Sequence, residues 1–404
     1  MRFAGRFVCP AKKSHCERCK ADTVGQGISI YHKEDFTIML TMKKRNAWIA
    51  CGLSLLLAVT ATACGNSGST SSAEAVSSEA VSSETASSAA AASNTEALTI
   101  HVGALKGPTG LGMVQMMQES DSSQSGSTKY TFTTATAPDD MVAKLTSGEM
   151  DIAALPTNLV ASLYQKTSGK VQMLAVNTLG MLSVMTNGET INSIADLKGK
   201  TVLASGKGAI PEYAFDYILQ KNGLKVASSQ DDAAGDADAV TVEYVTEHAE
   251  VAQKLISGEA KIAVLPQPFV TQVLQKSKTA KVALDVTDEW NKVTNNQSVL
   301  SMGSLAVRKE FAEQHKDALD AFLTTYQKST DYTNQHPADA AKLAEQYLGI
   351  PAAVAEKAIP DCNITYLAGK EMKEKLTPFF QVLFDANPKS IGGKMPDDAF
   401  YYGA

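Results

Sequence analysis

An internal repeat constrains the fold of this chain more than any other feature. Residues 141–166 and 251–276, offset by 110 positions, match without gaps at twelve of 26 positions. Each copy reads as a helix, Ser-Gly-Glu, a short apolar strand, Leu-Pro and a second helix, with glycine and proline where helix ends and starts favour them. An offset of 110 residues is the size of a lobe, not of a solenoid repeat. The repeat therefore predicts two similar α/β lobes that face each other across a ligand cleft; chance similarity is the alternative.

The chain from residue 97 to residue 307 alternates short apolar strands with helix-like segments. This order predicts a mainly parallel sheet flanked by helices in each lobe. We place lobe 1 at residues 97–186 and 301–404 and lobe 2 at residues 187–300. The part after residue 308 reads as helical, with a last helix over 369–386. Two crossings through one hinge would make a clamp that closes by rotation.

The amino-terminal segment differs in charge from the rest of the chain. Residues 1–64 contain ten Lys/Arg and four Asp/Glu, whereas residues 65–404 contain 27 and 39. The basic triplet at 43–45, the apolar run 47–63 and the small residues before Cys64 predict a lipoprotein signal peptide over 42–63, with Cys64 lipidated. An uncleaved membrane anchor and ordinary signal-peptidase cleavage are the alternatives. We interpret residues 1–41 as an extension from a wrongly chosen start codon, and not as a metal site.

Residues 64–96 predict a flexible, lipid-anchored linker. Nineteen of the 30 residues from 65 to 94 are Ser or Ala, and none is Lys, Arg or aromatic, so this segment cannot bury enough apolar surface to order itself.

The acidic remainder has no cluster of Lys/Arg that would bind nucleic acid. From this charge we expect no nucleic-acid partner. From the predicted signal peptide and linker we expect an extracytoplasmic protein that is lipid-anchored to the bacterial cell membrane.

Three further segments carry a resemblance to a known family. They are residues 102–110 (VGALKGPTG), 194–202 (IADLKGKTV) and 334–340 (NQHPADA). Together with the predicted signal, linker and lobes, the chain resembles the ABC-transporter solute-binding lipoproteins of the nitrate, sulfonate and taurine (thiamine-pyrimidine-like) group, which have a type II periplasmic-binding fold. The resemblance implies a monomer, without cofactor or metal, that captures a small solute such as nitrate, a sulfonate or a small heterocycle. It also implies delivery of that solute to ABC permease subunits with a cytoplasmic ATPase.

Ligand-binding loops of such a fold are expected where strands end and helices begin, because free backbone N–H groups face the cleft there. For any one of these positions, a plain turn residue is the alternative; for the tryptophan, which could stack on a ring, the alternative is packing. The candidate residues are Lys106, Gly107, Pro108, Thr109, Gly110, Thr157, Asn158, Asn177, Thr178, Lys207, Gly208, Ala209, Glu212, Tyr213, Gln267 and Trp290.

The choice of solute and of function class stays open in the sequence. Arg308 is the only arginine after residue 45, which weakens a sulfonate interpretation because planar oxyanions usually favour arginine; near the hinge, it could still meet an anion. The chain lacks the cysteine-rich motif of the thiamine-pyrimidine relatives. We expect no enzyme, since the histidines after Cys64 have no metal-ligand spacing and Cys362 has no neighbouring activating residue. A pyrimidine-processing enzyme of the same fold and a transport-independent sensor or adhesin are the alternatives.

Overall fold

The structure is a computed structural model that describes residues 98–122 and 128–404. The predicted extension (1–41), signal peptide (42–63) and linker (64–96) lie outside the described residues, and their interpretation stays a prediction. Among the helices that the structure describes, none combines the length and the apolar character needed to span a membrane.

The described residues contain twelve strands, arranged in two sheets of six. The strands are β1 (Leu98–Leu105), β2 (Thr128–Ala135), β3 (Ile152–Pro156), β4 (Val171–Leu179), β5 (Leu182–Asn187), β6 (Thr201–Ser205), β7 (Lys225–Ala227), β8 (Ala239–Val245), β9 (Ile262–Pro266), β10 (Ala280–Asp285), β11 (Ser301–Arg308) and β12 (Ile364–Ala368). The first sheet has the order β12-β4-β11-β3-β1-β2 and the second β10-β5-β9-β6-β8-β7. The two-lobed α/β architecture predicted from the repeat is therefore confirmed.

Helices flank both sheets. They are α1 (Pro108–Leu111), α2 (Val114–Ser122), α3 (Pro138–Ser147), α4 (Thr157–Lys166), α5 (Ile210–Lys221), α6 (His248–Ser257), α7 (Phe269–Lys276), α8 (Val286–Val293), α9 (Lys309–Gln314), α10 (Lys316–Gln335), α11 (Pro337–Leu348), α12 (Ala352–Ala358) and α13 (Gly369–Ala386). Short 3-10 turns lie at Ile194–Leu197, Ile359–Asp361, Pro388–Ile391 and Asp398–Phe400. The last predicted helix has the bounds of α13.

Most strands of each sheet run in one direction. The pairings align β1 to β4 with one another, and only β11 and β12 oppose them in the first sheet. In the second sheet only β5 runs opposite to the other five strands. Both β5 and β11 begin directly after the chain has crossed from the other sheet. They run against their neighbours because they enter at the edge where those neighbours end.

The first crossing lies earlier than the sequence predicted. The boundary was placed at 186–187, but β5 (Leu182–Asn187) pairs with β9 and β10 of the second sheet, so the chain crosses at Gly180 and Met181. All six residues of β5 are buried although Ser183, Thr186 and Asn187 are polar, so no alternation of buried and exposed positions shows in the sequence which sheet the strand joins. The structure also adds β12 (Ile364–Ala368), antiparallel to β4, to a tail predicted as purely helical.

The two copies of the repeat have the same local structure. Each first helix ends at a glycine in the left-handed region, with φ of 85° at Gly148 and 78° at Gly258. In each copy the serine hydroxyl donates at 3.1 Å to the carbonyl of the lysine three residues earlier, and this lysine pairs with the glutamate that follows the glycine. The pairs are Lys144–Glu149 and Lys254–Glu259. The repeat is therefore a duplicated turn as well as a duplicated sequence.

The hydrophobic core has three clusters in the described residues. One cluster runs through both lobes and joins Leu155 of β3 and Val264 of β9 to α8 and to Phe379 of α13. The other two cover the remaining faces of the first and the second sheet. Because α13 contributes to the shared cluster, burial of its apolar face stabilises the two lobes together.

The repeat turn gives the first testable prediction. Gly148→Ala should lower the free energy of unfolding by about 1–2 kcal/mol, because a Cβ is disfavoured at positive φ. The matched control is Gly107→Ala: a Cβ at either glycine meets no atom within 4 Å, but Gly107 has an extended φ of 179°. Urea denaturation of both variants measures the difference, and equal stabilities would contradict this account of the turn.

Candidate functional site

The carboxyl ends of the parallel strands in both sheets lie beside the two crossings. β3 ends at Pro156, opposite Gly303 near the start of β11, and β9 ends at Pro266, opposite Leu182 at the start of β5. Since β5 and β11 are the strands that follow the crossings, the loops after β3 and β9 border the same space. We call this space, bounded by the loops after β1, β3, β4, β6, β8 and β9, the interlobe cleft.

Three hydroxyl groups form a cluster on the lobe 1 side of the cleft. Thr157 Oγ1 lies 2.8 Å from both Ser301 Oγ and Ser304 Oγ, and all three residues are fully buried. Thr157 is the first residue of α4, and Pro156 before it supplies no capping side chain. Backbone N–H groups at an uncapped helix start, next to hydroxyl groups, favour a bound anion.

Asn177 links the end of β4 to the loop after β1. Its Nδ2 donates to the Thr109 carbonyl at 3.0 Å, and its Oδ1 accepts from Thr178 Oγ1 at 3.1 Å. A Cβ on the neighbouring Gly303 would meet Thr109 and Asn177 atoms at 2.4 and 2.5 Å, so glycine is required for this close approach. The structure thus brings together three of the predicted residues.

Ser205 and His248 form a pair on the lobe 2 side. Ser205 ends β6, His248 begins α6, and Ser205 Oγ lies 2.5 Å from His248 Nδ1. Burial lowers the pKa of His248, and Glu247 opposes this only in part, so the imidazole is neutral at pH 7 and offers one N–H donor. His248 is not among the residues predicted from the sequence; the signal for it was its position at a helix start directly after β8.

Gln267 connects the two lobes. It follows β9, and its Nε2 donates across the cleft to Asp361 Oδ2 at 3.3 Å. Its Oε1 accepts from the backbone N–H and the hydroxyl of Thr271, and its own backbone N–H donates to the Met181 carbonyl at the crossing. All these bonds fix Gln267 between hinge, helix α7 and the opposite lobe.

The loop after β6 folds back on its own helix. Glu212 accepts a hydrogen bond from the backbone N–H of Gly208, and Ala209 is the N-cap of α5 without a capping side chain. Lys207 is exposed, with its Nζ 5.8 Å from the centre of the Tyr244 ring. The loop lines a cavity of about 830 Å³ that continues to the end of α13. Lys207 is therefore a cation at the edge of the cleft.

Two side chains that line this cavity have different effects. Asp216 lowers its negative charge, and Tyr213 connects the two lobes. Burial, with a contribution from Glu212, raises the pKa of Asp216 to about 7, so part of the Asp216 population is neutral at pH 7. Tyr213 is buried, and its hydroxyl accepts from Asn387 Nδ2 at 3.0 Å, from the segment that follows α13.

Several predicted residues lie elsewhere or have other partners. Trp290 is fully buried, 5.3 Å from the Tyr217 ring and 6.0 Å from the Phe379 ring, so its position is that of a core residue and ring stacking on a solute is not supported. Lys106 is exposed and lines a separate cavity of about 610 Å³ beside α3. Asn158 donates to the Ser390 carbonyl at 3.4 Å.

The short helix α1 holds the remaining residues of the first loop. Pro108, Thr109 and Gly110 lie in its single turn, and Gly107 precedes it as N-cap. Gly110 is buried, and a Cβ there would lie 2.4 Å from the Leu105 carbonyl oxygen. Gly110 thus allows a tight turn below Thr109 and has a structural role.

Arg308 forms an ion pair with Asp151 that has a structural role. Its guanidinium bonds Asp151 at 2.5 Å, and Asp151 is buried. Arg308 ends β11, whereas the cleft lies at the start of that strand, so the expected position near the hinge is wrong. Within residues 98–122 and 128–404, no group of three His, Cys, Asp or Glu residues could hold a metal ion.

The chain matches one family model and several solved structures. Residues 121–353, more than half of the chain, match the family described as "ABC transporter, phosphonate, periplasmic substrate-binding protein". An ABC transporter from Parabacteroides distasonis is 22% identical, with 75% of this chain and 98% of that chain covered and a TM-score of 0.62. The periplasmic aliphatic sulphonate binding protein SsuA from Escherichia coli is 19% identical, with 73% and 90% covered and a TM-score of 0.58. No curated protein matches the chain.

The Ser205–His248 pair gives a prediction on pH. Because burial lowers the pKa of His248 in the folded state, the unfolded chain binds the proton more tightly, and stability must fall as pH drops below about 6.5. His248→Gln should remove this part of the pH dependence, whereas the exposed His336→Gln should leave it. The free energy of unfolding of each variant at pH 7.5 and pH 5.5 measures this pH dependence. If His248→Gln leaves the pH dependence of stability unchanged, the lowered pKa of His248 is contradicted.

Proposed function

The chain belongs to the phosphonate-type family of ABC-transporter periplasmic substrate-binding proteins, and we propose that its solute is a small oxyanion with a phosphonate or sulfonate group. The observation that supports this most is the donor set at the cleft. The Thr157 hydroxyl cluster and the start of α4 lie on one side, and Ser205 and His248 lie on the other. Such neutral donors stabilise an anion without arginine.

Lys207 supplies a positive charge at the edge of the cleft. It is exposed at the edge of the cleft, and α5, which follows its loop, begins without a capping side chain. A flexible ammonium group can follow an oxyanion as the lobes close. A small heterocycle loses its main support, since Trp290 is buried in the core.

As the substrate-binding component of an ABC importer, the protein acts with a membrane permease and its ATPase. We propose that it does so as a monomer. Among the described residues, the large hydrophobic side chains that are clearly exposed are Leu274 and Val282, at 45% and 43%. Two such side chains are too few for an apolar interface between copies.

We also propose that Cys64 carries the lipid that tethers the protein to the membrane. The sequence before and after Cys64, a signal-like segment and a Ser/Ala-rich linker, supports this. Cys64→Ala expressed in a bacterial host should move the protein from the membrane fraction to the soluble extracytoplasmic fraction. Retention of Cys64→Ala in the membrane fraction would favour an uncleaved anchor instead.

The solute proposal is tested by thermal shift with methylphosphonate, ethanesulfonate, nitrate and acetate, and with an aminopyrimidine as the uncharged probe. A ligand at 100 times its dissociation constant stabilises the folded state by about 2.7 kcal/mol. We expect methylphosphonate or ethanesulfonate to raise the Tm and the aminopyrimidine to leave it unchanged. Stabilisation by the aminopyrimidine alone would overturn the oxyanion proposal.

Two exposed lysines make a matched pair for the same assay. Lys207→Ala should weaken oxyanion binding about tenfold, the effect of one partly solvated ion pair. Lys370→Ala should leave affinity unchanged, because Lys370 is exposed at the start of α13, after the end of β12 that lies away from the cleft. Titration calorimetry of both variants measures this, and an equal loss in the two would remove Lys207 from the site.

A further inference from the structure

The strand orders of the two sheets define a front and a back of the hinge. In the first sheet β12 is the edge strand next to β4, and in the second sheet β10 is the edge strand next to β5. Since the chain crosses directly from β4 to β5, β12 and β10 lie on one side of this crossing. The loops after β1, β6 and β8, which bound the cleft, lie on the other side. We call the side of β12 and β10 the back of the hinge.

Two helices from different lobes meet at the back of the hinge. α12 leads into β12 through a 3-10 turn, and its Ala355 and Ala358 are buried in a core cluster of the first sheet. α7 connects β9 to β10, and its Val270 and Val273 are buried in the cluster of the second sheet. α12 therefore moves with lobe 1 and α7 with lobe 2, and the two helices are in contact. We call residues 352–361 the arm.

One end of the arm is fixed at the first crossing. Asn363, two residues after the arm, donates from its side-chain amide to the Gly180 carbonyl, and its own carbonyl accepts from the Leu179 N–H at 3.0 Å. At this end Gln267 Nε2 donates to Asp361 Oδ2 at 3.3 Å. Because these groups lie at the pivot itself, a rotation of the lobes displaces them little.

The other end of the arm contacts the far end of α7. Gln275, in the last turn of α7, donates from Nε2 to the Ala353 carbonyl at 3.2 Å. It lies six residues after Phe269, the first residue of the helix, which is about 9 Å along the helix axis. A rotation about the crossings displaces this end more than the pivot end. A shift of one or two ångströms is enough to break such a hydrogen bond.

The position behind the hinge sets the direction of the effect. When two lobes rotate about a pivot, groups behind the pivot approach as the cleft in front opens, and they separate as it closes. We propose that the arm opposes closure of the cleft, because the Gln275–Ala353 hydrogen bond forms in the open arrangement and breaks on closure. The arm then lowers the affinity for solute, since affinity falls with the fraction of the binding-competent arrangement. The same bond, regained on opening, favours release of the solute.

This role predicts that loss of the contact strengthens binding. Gln275→Ala should raise the affinity for methylphosphonate or ethanesulfonate about fivefold, the effect of one neutral hydrogen bond that no longer favours the open arrangement. Without solute, the same variant should have a smaller radius of gyration than the wild type, because more molecules are closed. Gln275 is exposed, so the substitution leaves the core intact. Damage to the fold would weaken binding and not strengthen it.

The internal repeat supplies a matched control. Gln165 occupies the position on α4 that Gln275 occupies on α7. Its Nε2 also donates to backbone carbonyls, those of Lys394 and Met395, at 3.5 Å. All three residues belong to lobe 1, so this contact does not change when the lobes rotate. Gln165→Ala should therefore leave both the affinity and the radius of gyration unchanged.

Titration calorimetry with both probes and small-angle X-ray scattering without solute measure these effects on the full chain. The affinity result rests on the proposed function, whereas the scattering result does not. Unchanged or weaker binding by Gln275→Ala, with the wild type binding, would overturn the role of the arm and leave the proposed function intact; an equal gain in Gln165→Ala would also overturn it. If the wild type binds neither probe, the proposed function fails. An unchanged radius of gyration in Gln275→Ala would then refute the arm as well, and a smaller one would support it.

Discussion

The direction of the strands that follow the two crossings determines where the functional groups lie. β5 and β11 each enter a sheet from the edge at which the parallel strands end. The loops after β3 and β9 must then border one cleft, and so must the helix starts that follow them. The repeated Ser-Gly-Glu turns, at the opposite ends of β3 and β9, close the far edges with the same ion pair. The repeat thus supplies the scaffold, and the crossings orient it.

The charges of the described chain explain how such a cleft can bind an anion. Arg308 is held by the buried Asp151 at the far edge of its sheet. Around the cleft lie buried hydroxyl groups, a neutral imidazole, uncapped helix starts and the exposed Lys207. These donors are fixed by packing and by hydrogen bonds before solute arrives, and preorganised donors bind an anion at a lower entropic cost than mobile ones. Neutralisation of Asp216 reduces the opposing charge beside Lys207.

The sequence predicted those parts of the fold that local patterns encode. The repeat predicted two lobes, and the helix signals predicted α13 with its bounds. The first crossing was misplaced because every residue of β5 is buried, so that no alternation marks its sheet. Of the predicted site residues, Thr109, Asn177 and Thr178 lie together in the structure. His248, Ser301 and Ser304 were missed because their roles depend on partners 43 to 147 residues away, and Trp290 was overrated because burial cannot be read from one aromatic residue.

A crystal structure of the protein with methylphosphonate or ethanesulfonate tests the central claim most directly. We predict that the oxyanion lies in the interlobe cleft, within hydrogen-bond distance of the start of α4 or the Thr157 hydroxyl on one side and of Ser205 or His248 on the other. An oxyanion bound outside the cleft, or held by groups of a single lobe with the other lobe turned away, would contradict the account.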